Sequence, residues 1–209
     1  SDPLTLVRPI ARLAQQHNKP LMISECGFSY TSAAGGDQTA YAADQLNKLY
    51  SYANMIFPQT KAVFYFDKDM SGSAYHYALS GSSTLASPYE SAIQANGSYL
   101  TAGQTSAPAW TALSNVSQGQ GRIQLATYAV FPSSAATTVT YYVDGKAVYS
   151  SSKAPYYYTL DCDALSSGSH KLYVIATNGK FTVNGSASGK TYTIQTQESE
   201  GYHPSSADD

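Results

Sequence analysis

The chain has 209 residues, enough for one large or two small domains. Its formal net charge is −2 and only 12% of its residues are charged, so the electrostatics give no case for nucleic acid or an anionic membrane; no apolar run approaches the roughly 18–20 residues of a membrane span. Nineteen tyrosines against six phenylalanines and one tryptophan, among abundant Ser, Thr, Gly and Asn, fit an extracellular protein that handles carbohydrate or cell-wall material.

The sequence opens on Ser1 with neither an initiator Met nor a signal peptide, and is expected to be a processed or cut piece. Asp2-Pro3 reads as a helix start, with Asp2 as cap and Pro3 at the first helical position. Leu4, Val7, Ile10, Ala11 and Ala14 recur at helical spacing, which predicts one inward face through about Gln16. His17-Asn18-Lys19-Pro20 closes that helix, and His17 reads as a solvated residue near a helix C-terminus. The run Leu21-Met22-Ile23-Ser24-Glu25-Cys26-Gly27 then predicts a short strand buried on both faces, ending on a carboxylate. Spacing alone leaves two readings of Glu25 open: a solvated strand end, or a catalytic residue at the C-terminal end of a barrel strand.

A loop carrying Tyr30 and Gly35-Gly36 follows, and Asp37-Gln38-Thr39 opens a second helix with Ala42, Leu46, Leu49, Ala53 and Ile56 inward. Residues 61–67 form a second buried strand, again finishing on an acid, Asp67. The order helix, strand, helix, strand predicts two steps of a parallel α/β sheet. The stretch 67–86 lacks periodicity; loops that long are usually functional. Ser87-Pro88-Tyr89-Glu90 reads as a capping box that starts a third helix, ending near Asn96-Gly97. Residues 98–120 are rich in Ser, Gly, Thr, Gln and Pro and read as a linker. Beyond it, strands are predicted at 123–130, 138–143, 146–149, 156–160, 171–176 and 191–195, with Asp144-Gly145 as a hairpin turn. Residues 198–209 read as a polar tail.

Two resemblances attach to these patterns. Glu25-Cys26-Gly27 resembles the end of the seventh barrel strand of the clan A glycoside hydrolases. Ala62-Val63-Phe64-Tyr65-Phe66-Asp67 resembles strand eight, and Tyr77-Ala78-Leu79-Ser80 with Pro88-Tyr89 resembles the stretch that follows in family 26, the β-mannanase group. That family usually carries Trp where this chain has Tyr65. Val139-Thr140-Tyr141-Tyr142-Val143-Asp144-Gly145-Lys146, then Ala154-Pro155-Tyr156 and Gly168-Ser169-His170-Lys171-Leu172, resemble a bacterial immunoglobulin-like domain, which makes His170 a strand-edge residue. Together they imply an α/β plus all-β chain. A partial (β/α)8 TIM-barrel segment at 1–97 and a linker at 98–120 precede an immunoglobulin-like β-sandwich at 121–197 and a tail at 198–209.

The barrel resemblance implies that Glu25 is the nucleophile of a retaining endo-β-glycanase. Such enzymes need a second carboxyl group about 5–5.5 Å away, and the clan's acid/base lies on strand four, which has no counterpart here. The chain alone is therefore expected to be inactive. Asp67 does not match the family's acid and is assigned to loop shaping or to sugar hydroxyls. Tyr30, Tyr65, His76 and Tyr75 are candidates to line a sugar groove, against ordinary packing or surface exposure. Asp67-Lys68-Asp69-Met70-Ser71-Gly72 starts like a calcium loop, but the twelfth position is Ala78, so no metal and no cofactor is expected. Cys26 and Cys162 are too few for a disulfide scaffold and read as buried free thiols.

The expected partners are a β-mannan or related β-glycan and the missing N-terminal barrel portion, in cis or as a partner chain. The expected location is extracellular, after secretion. The competing expectation is a non-catalytic carbohydrate-binding or spacer module of a cell-wall or extracellular protein.

Overall fold

The structure, a computed structural model, describes residues 2–70, 72–80, 83–132 and 135–191. Its first half runs α1 (Pro3–Gln16), β1 (Leu21–Cys26), α2 (Thr39–Ile56), β2 (Thr60–Tyr65) and α3 (Ser83–Asn96). The Asp2 carboxylate accepts from the Leu4 N–H at 2.8 Å and caps α1, with Pro3 at the first helical position. Leu4 and Ala11 are buried, and Val7 and Ala14 pack beside them. Ile10, predicted to face inward, is 58% exposed and aligns with exposed Leu6 and Leu13. Positions 6, 10 and 13 stack one turn apart on a second stripe, away from the α1–α2 contact.

β1 and β2 are parallel, paired from Leu21 opposite Thr60 to Cys26 opposite Tyr65. The expectation that β1 is buried on both faces is corrected. Leu21, Ile23, Val63 and Tyr65 pack against the core, but Met22 and Phe64 are 59% and 55% exposed. A parallel strand is buried twice only when both faces of its sheet are covered, and here the sheet has two strands and one covered face. α3 begins at Ser83, upstream of the predicted capping box, so Pro88 lies inside the helix. Burial of Leu85 extends the helix, and Pro88 forfeits a single backbone bond, toward residue 84.

The second half is all strand: β3 (Thr111–Leu113), β4 (Asn115–Ser117), β5 (Arg122–Ala126), β6 (Thr138–Val143), β7 (Lys146–Ser151), β8 (Tyr158–Asp161), a 3-10 turn (Cys162–Ala164), β9 (Ser169–Thr177), β10 (Thr182–Gly185) and β11 (Ala187–Thr191). One sheet runs β10-β9-β6-β7 with β4 on β9, the other β3-β11-β5-β8, and all their pairings are antiparallel. Alternation places Val139, Tyr141, Val143, Leu172, Val174 and Ala176 of the first sheet and Ile123 and Leu125 of the second in the shared core. Asp144 (φ +50) and Gly145 (φ +81) form the predicted hairpin turn between β6 and β7; both take the left-handed backbone such a turn requires.

Residues 111–117, read as linker from their composition, are β3 and β4. Among the described residues the last strand is β11 at Ala187–Thr191, which meets the predicted strand 191–195 at Thr191; residues 192–195 and the tail at 198–209 lie outside the described residues. Cys26 and Cys162 are free thiols.

The sandwich sits directly on the helices. Tyr52 Oη donates to the Thr127 carbonyl at 2.6 Å, Asn47 Nδ2 to the Ala154 carbonyl at 2.8 Å, and Gln124 Nε2 to the Ala95 carbonyl at 2.9 Å. Tyr128 Oη donates to the Asp2 carboxylate at 3.0 Å. Residues 50–53 of α2 are each at most 1% exposed, as expected of a helix covered on all sides.

Candidate functional site

The C-terminal ends of parallel strands, where neighbouring backbones diverge into loops, are the usual place for a ligand in α/β folds. Glu25 lies there, exposed, one residue before the end of β1. Its neighbour Cys26 points the other way. Cys26 Sγ donates to the Phe64 carbonyl at 3.2 Å and lies 3.6 Å from Tyr50 Oη, and burial pushes the thiol pKa up. Gly27 follows because the chain passes hard against an aromatic ring: a Cβ there would lie 3.0 Å from Tyr77 Cδ1.

The loops after β1 and β2 are laced together. Thr31 Oγ1 donates to the Ala74 carbonyl at 2.6 Å, the His76 N–H donates to Ser29 Oγ at 3.2 Å and Thr31 Oγ1 at 3.0 Å, and the Tyr30 N–H donates to the His76 carbonyl at 3.0 Å. These bonds bring Tyr30 and His76 together, ring edge to ring face at 5.9 Å. His76 Nε2 lies 3.0 Å from the Ser73 carbonyl. A carbonyl only accepts, so Nε2 carries the proton and Nδ1 is the basic nitrogen of the neutral ring.

Tyr65 and Asp67 hold the same return segment. Tyr65 Oη donates to the Tyr77 carbonyl at 2.8 Å while its ring packs near Phe28 and Tyr89, and burial pushes its pKa up to about 12. Asp67 Oδ1 accepts from the N–H groups of Leu79 at 2.7 Å and Ser80 at 3.1 Å and from Ser80 Oγ at 3.2 Å. The Ser80 N–H, followed by that of Leu79, holds the carboxyl below its ordinary range. No hydrogen bond or ion pair among the described residues joins Glu25 to Tyr30, Tyr65, Asp67 or His76. Exposed Tyr75 stands beside them.

A second group of polar residues lies at the far end of the sandwich. His170 Nδ1 is 2.6 Å from Asp144 Oδ2, and His170 Nε2 is 3.4 Å from Ser166 Oγ, spacings that mimic a nucleophile–base–acid triad. Nε2 is nearer still, 2.9 Å, to the Ser166 carbonyl. Both ring nitrogens thus face acceptors, an arrangement that favours the protonated ring, which has no lone pair to activate the serine. The Ser166 carbonyl, and after it the Asp144 carboxylate, raises the His170 pKa; His170 in turn lowers that of Asp144. His170, the second residue of β9, is thus a buried tie between hairpin and loop.

The sequence reading missed the contact between the two halves. Lys190 on β11 is 1% exposed; its Nζ donates to the Asn96 carbonyl and Oδ1 at 2.7 Å each and to Ser98 Oγ, and lies 4.1 Å over the Trp110 ring. A lysine in a serine- and glycine-rich strand carries no sequence signal of burial. Among the described residues no cluster of three or more His, Cys, Asp or Glu could hold a metal ion, and no helix is long and apolar enough to cross a membrane.

Residues 109–174 match the family described as Bacterial Ig domain. No curated protein matches the chain. Among solved structures, the chain is similar to the endo-beta-1,4-mannanase from Thermotoga petrophila, with a TM-score of 0.32 and 12% identity. That alignment covers 88% of this chain and 41% of the mannanase, so the chain spans less than half of that structure's length.

Proposed function

We propose that this chain is the C-terminal part of a secreted retaining endo-β-glycanase acting on β-mannan or a related β-glycan, with Glu25 as the nucleophile. The observation that carries the reading is the placement of Glu25: an exposed carboxylate at the C-terminal end of a parallel strand, in an α-β-α-β-α unit whose opposite sheet face, Met22 and Phe64, is uncovered. A β/α barrel has that layout, with helices outside and the bare face turned inward. On this reading the preceding strands, in cis or on a partner chain, cover Met22 and Phe64 and bring the acid/base.

The chemistry follows from two carboxyl groups. Glu25 attacks the anomeric carbon and displaces the leaving sugar, whose oxygen takes a proton from the acid/base supplied by the preceding strands. Water activated by that same group then releases the sugar from Glu25. On this reading Tyr30 and His76, paired in the loops after the two strands, are the residues that meet the glycan, with His76 Nδ1 as an acceptor for a sugar hydroxyl. Tyr65 and Asp67 support them by fixing residues 77–80.

The second reading, a non-catalytic binding or spacer module, is favoured by the Bacterial Ig domain match over residues 109–174. One experiment separates the two. The reading frame that contains this chain, expressed with whatever precedes residue 1, is assayed on β-mannan, and so is its Glu25→Gln variant. Hydrolysis lost by a factor of about 10³ or more in the variant supports the nucleophile; glycan binding without hydrolysis, unchanged by the substitution, supports the module.

A further inference from the structure

Among the described residues no hydrogen bond or ion pair holds the carboxylate at the end of β1, but the residue after it is anchored, and that anchor leads back to the sandwich. Lys190 holds Asn96, the last residue of α3, through both its carbonyl and its side-chain oxygen, and Trp110 Nε1 donates to the same Asn96 Oδ1 at 3.3 Å. Asn96 is fully buried. Its Nδ2 donates into the middle of α2, to the carbonyls of Tyr50 at 2.8 Å and Ser51 at 3.2 Å and to Asn54 Oδ1 at 3.2 Å. Tyr99 Oη adds a bond of 2.6 Å to the Tyr50 carbonyl. From the other end of Tyr50 the hydroxyl lies 3.6 Å from Cys26 Sγ, which also donates to the Phe64 carbonyl on β2.

We infer that the sandwich positions the candidate nucleophile: Lys190 and Asn96 fix the part of α2 that bears Tyr50, and Tyr50 holds Cys26 and with it the strand end carrying Glu25. Every link is a packed side chain or a hydrogen bond, and Lys190, Asn96 and Tyr50 are each at most 1% exposed. Lys190, Asn96 and Tyr50 are positioning residues, since none of them stands at the strand end where a glycan would lie. The inference rests on the proposed function only in naming Glu25 as the group positioned.

A series of contacts amounts to coupling when a change at one end moves the other, and the Cys26 thiol reports on that end. Iodoacetamide labelling of the native chain, followed by mass spectrometry at Cys26 and at Cys162 inside the sandwich, compares four proteins: wild type, Lys190→Met, Tyr50→Phe and the double variant. The expected result is a rise of about tenfold in the Cys26 rate for either single variant with Cys162 unchanged, and little further rise in the double variant. An unchanged Cys26 rate in Lys190→Met overturns the inference, as does a product of the two single effects in the double variant. Where Lys190→Met accelerates both cysteines together, Trp110→Phe, which removes the N–H to Asn96 and shortens the ring under Lys190, replaces it; a rise of about threefold confined to Cys26 then supports the inference, and a rise in both cysteines or in neither overturns it. Labelling makes no use of the carboxylate's chemistry. A failed glycanase assay therefore leaves this result standing, and a failed labelling result leaves the assay standing.

Discussion

The sandwich covers each of its sheets on the inner face with the other sheet, whereas the α/β half covers its two strands from one side and leaves Met22 and Phe64 in solvent. Both halves use apolar strands of similar length. The difference is closure: alternating β6, β9 and β5 bury every second residue between two sheets, while β1 and β2 have helices on one face and nothing described on the other. The sandwich carries its own core. The α/β half borrows part of its core from the sandwich, since Thr127 and Tyr157 cover part of residues 50–53 of α2, which α3 and the two strands cover elsewhere.

That asymmetry breaks first under division of the chain. Residues 2–108 alone are expected to show no cooperative unfolding in urea by circular dichroism, and residues 109–191 a single sharp transition. A cooperative transition in the first piece would erase the distinction. Within the sandwich, Leu125→Ala removes a fully buried side chain and should cost about 2–5 kcal/mol, read as a lower urea midpoint. Lys190→Met tests the joint; it takes the Lys190 donor away from both Asn96 oxygens and should cost about 1–3 kcal/mol, with the α/β half unfolding ahead of the sandwich.

The pH dependence sharpens the comparison further, because the joint and the sandwich titrate with opposite sign. Burial lowers the Lys190 pKa to about 7 from its ordinary 10.5. Between those values the unfolded chain binds the extra proton, so this residue makes stability rise with pH from about 7 upward, and Lys190→Met removes the rise. His170 has a raised pKa. Its contribution is complete below 6.5 and is lost as pH rises through the folded value, and His170→Asn removes that loss. Urea midpoints across pH 5–10 check both. The smallest effect is expected at the bare sheet face, where Met22→Gln should change stability by less than about 0.5 kcal/mol. Sedimentation of this variant beside wild type reads whether that face associates.

Much of the fold was legible because its elements are local. Asp2-Pro3 starts α1 as its cap chemistry dictates, Asp144-Gly145 turns the β6–β7 hairpin, and the bounds of β6 follow the alternation of residues 138–143. Residues 111–117 were not legible: three-residue strands are too short to show a period, and Trp110 beside them earns its place by packing near Tyr157 and under Lys190. Of the candidate site, the position of Glu25 at a strand end could be read directly. The pairing of Tyr30 with His76 could not, because two loops separated by a whole helix and strand create it.

Periodicity states which residues share a face, and the sequence by itself therefore determined the helix–strand alternation, the inward rows of the sandwich and the acid that ends β1. It does not state what lies over a face. The tertiary structure alone decided that Ile10 and Met22 meet solvent, that Lys190 is enclosed, and that His170 is tied to Asp144, because burial depends on contacts between segments far apart in the chain.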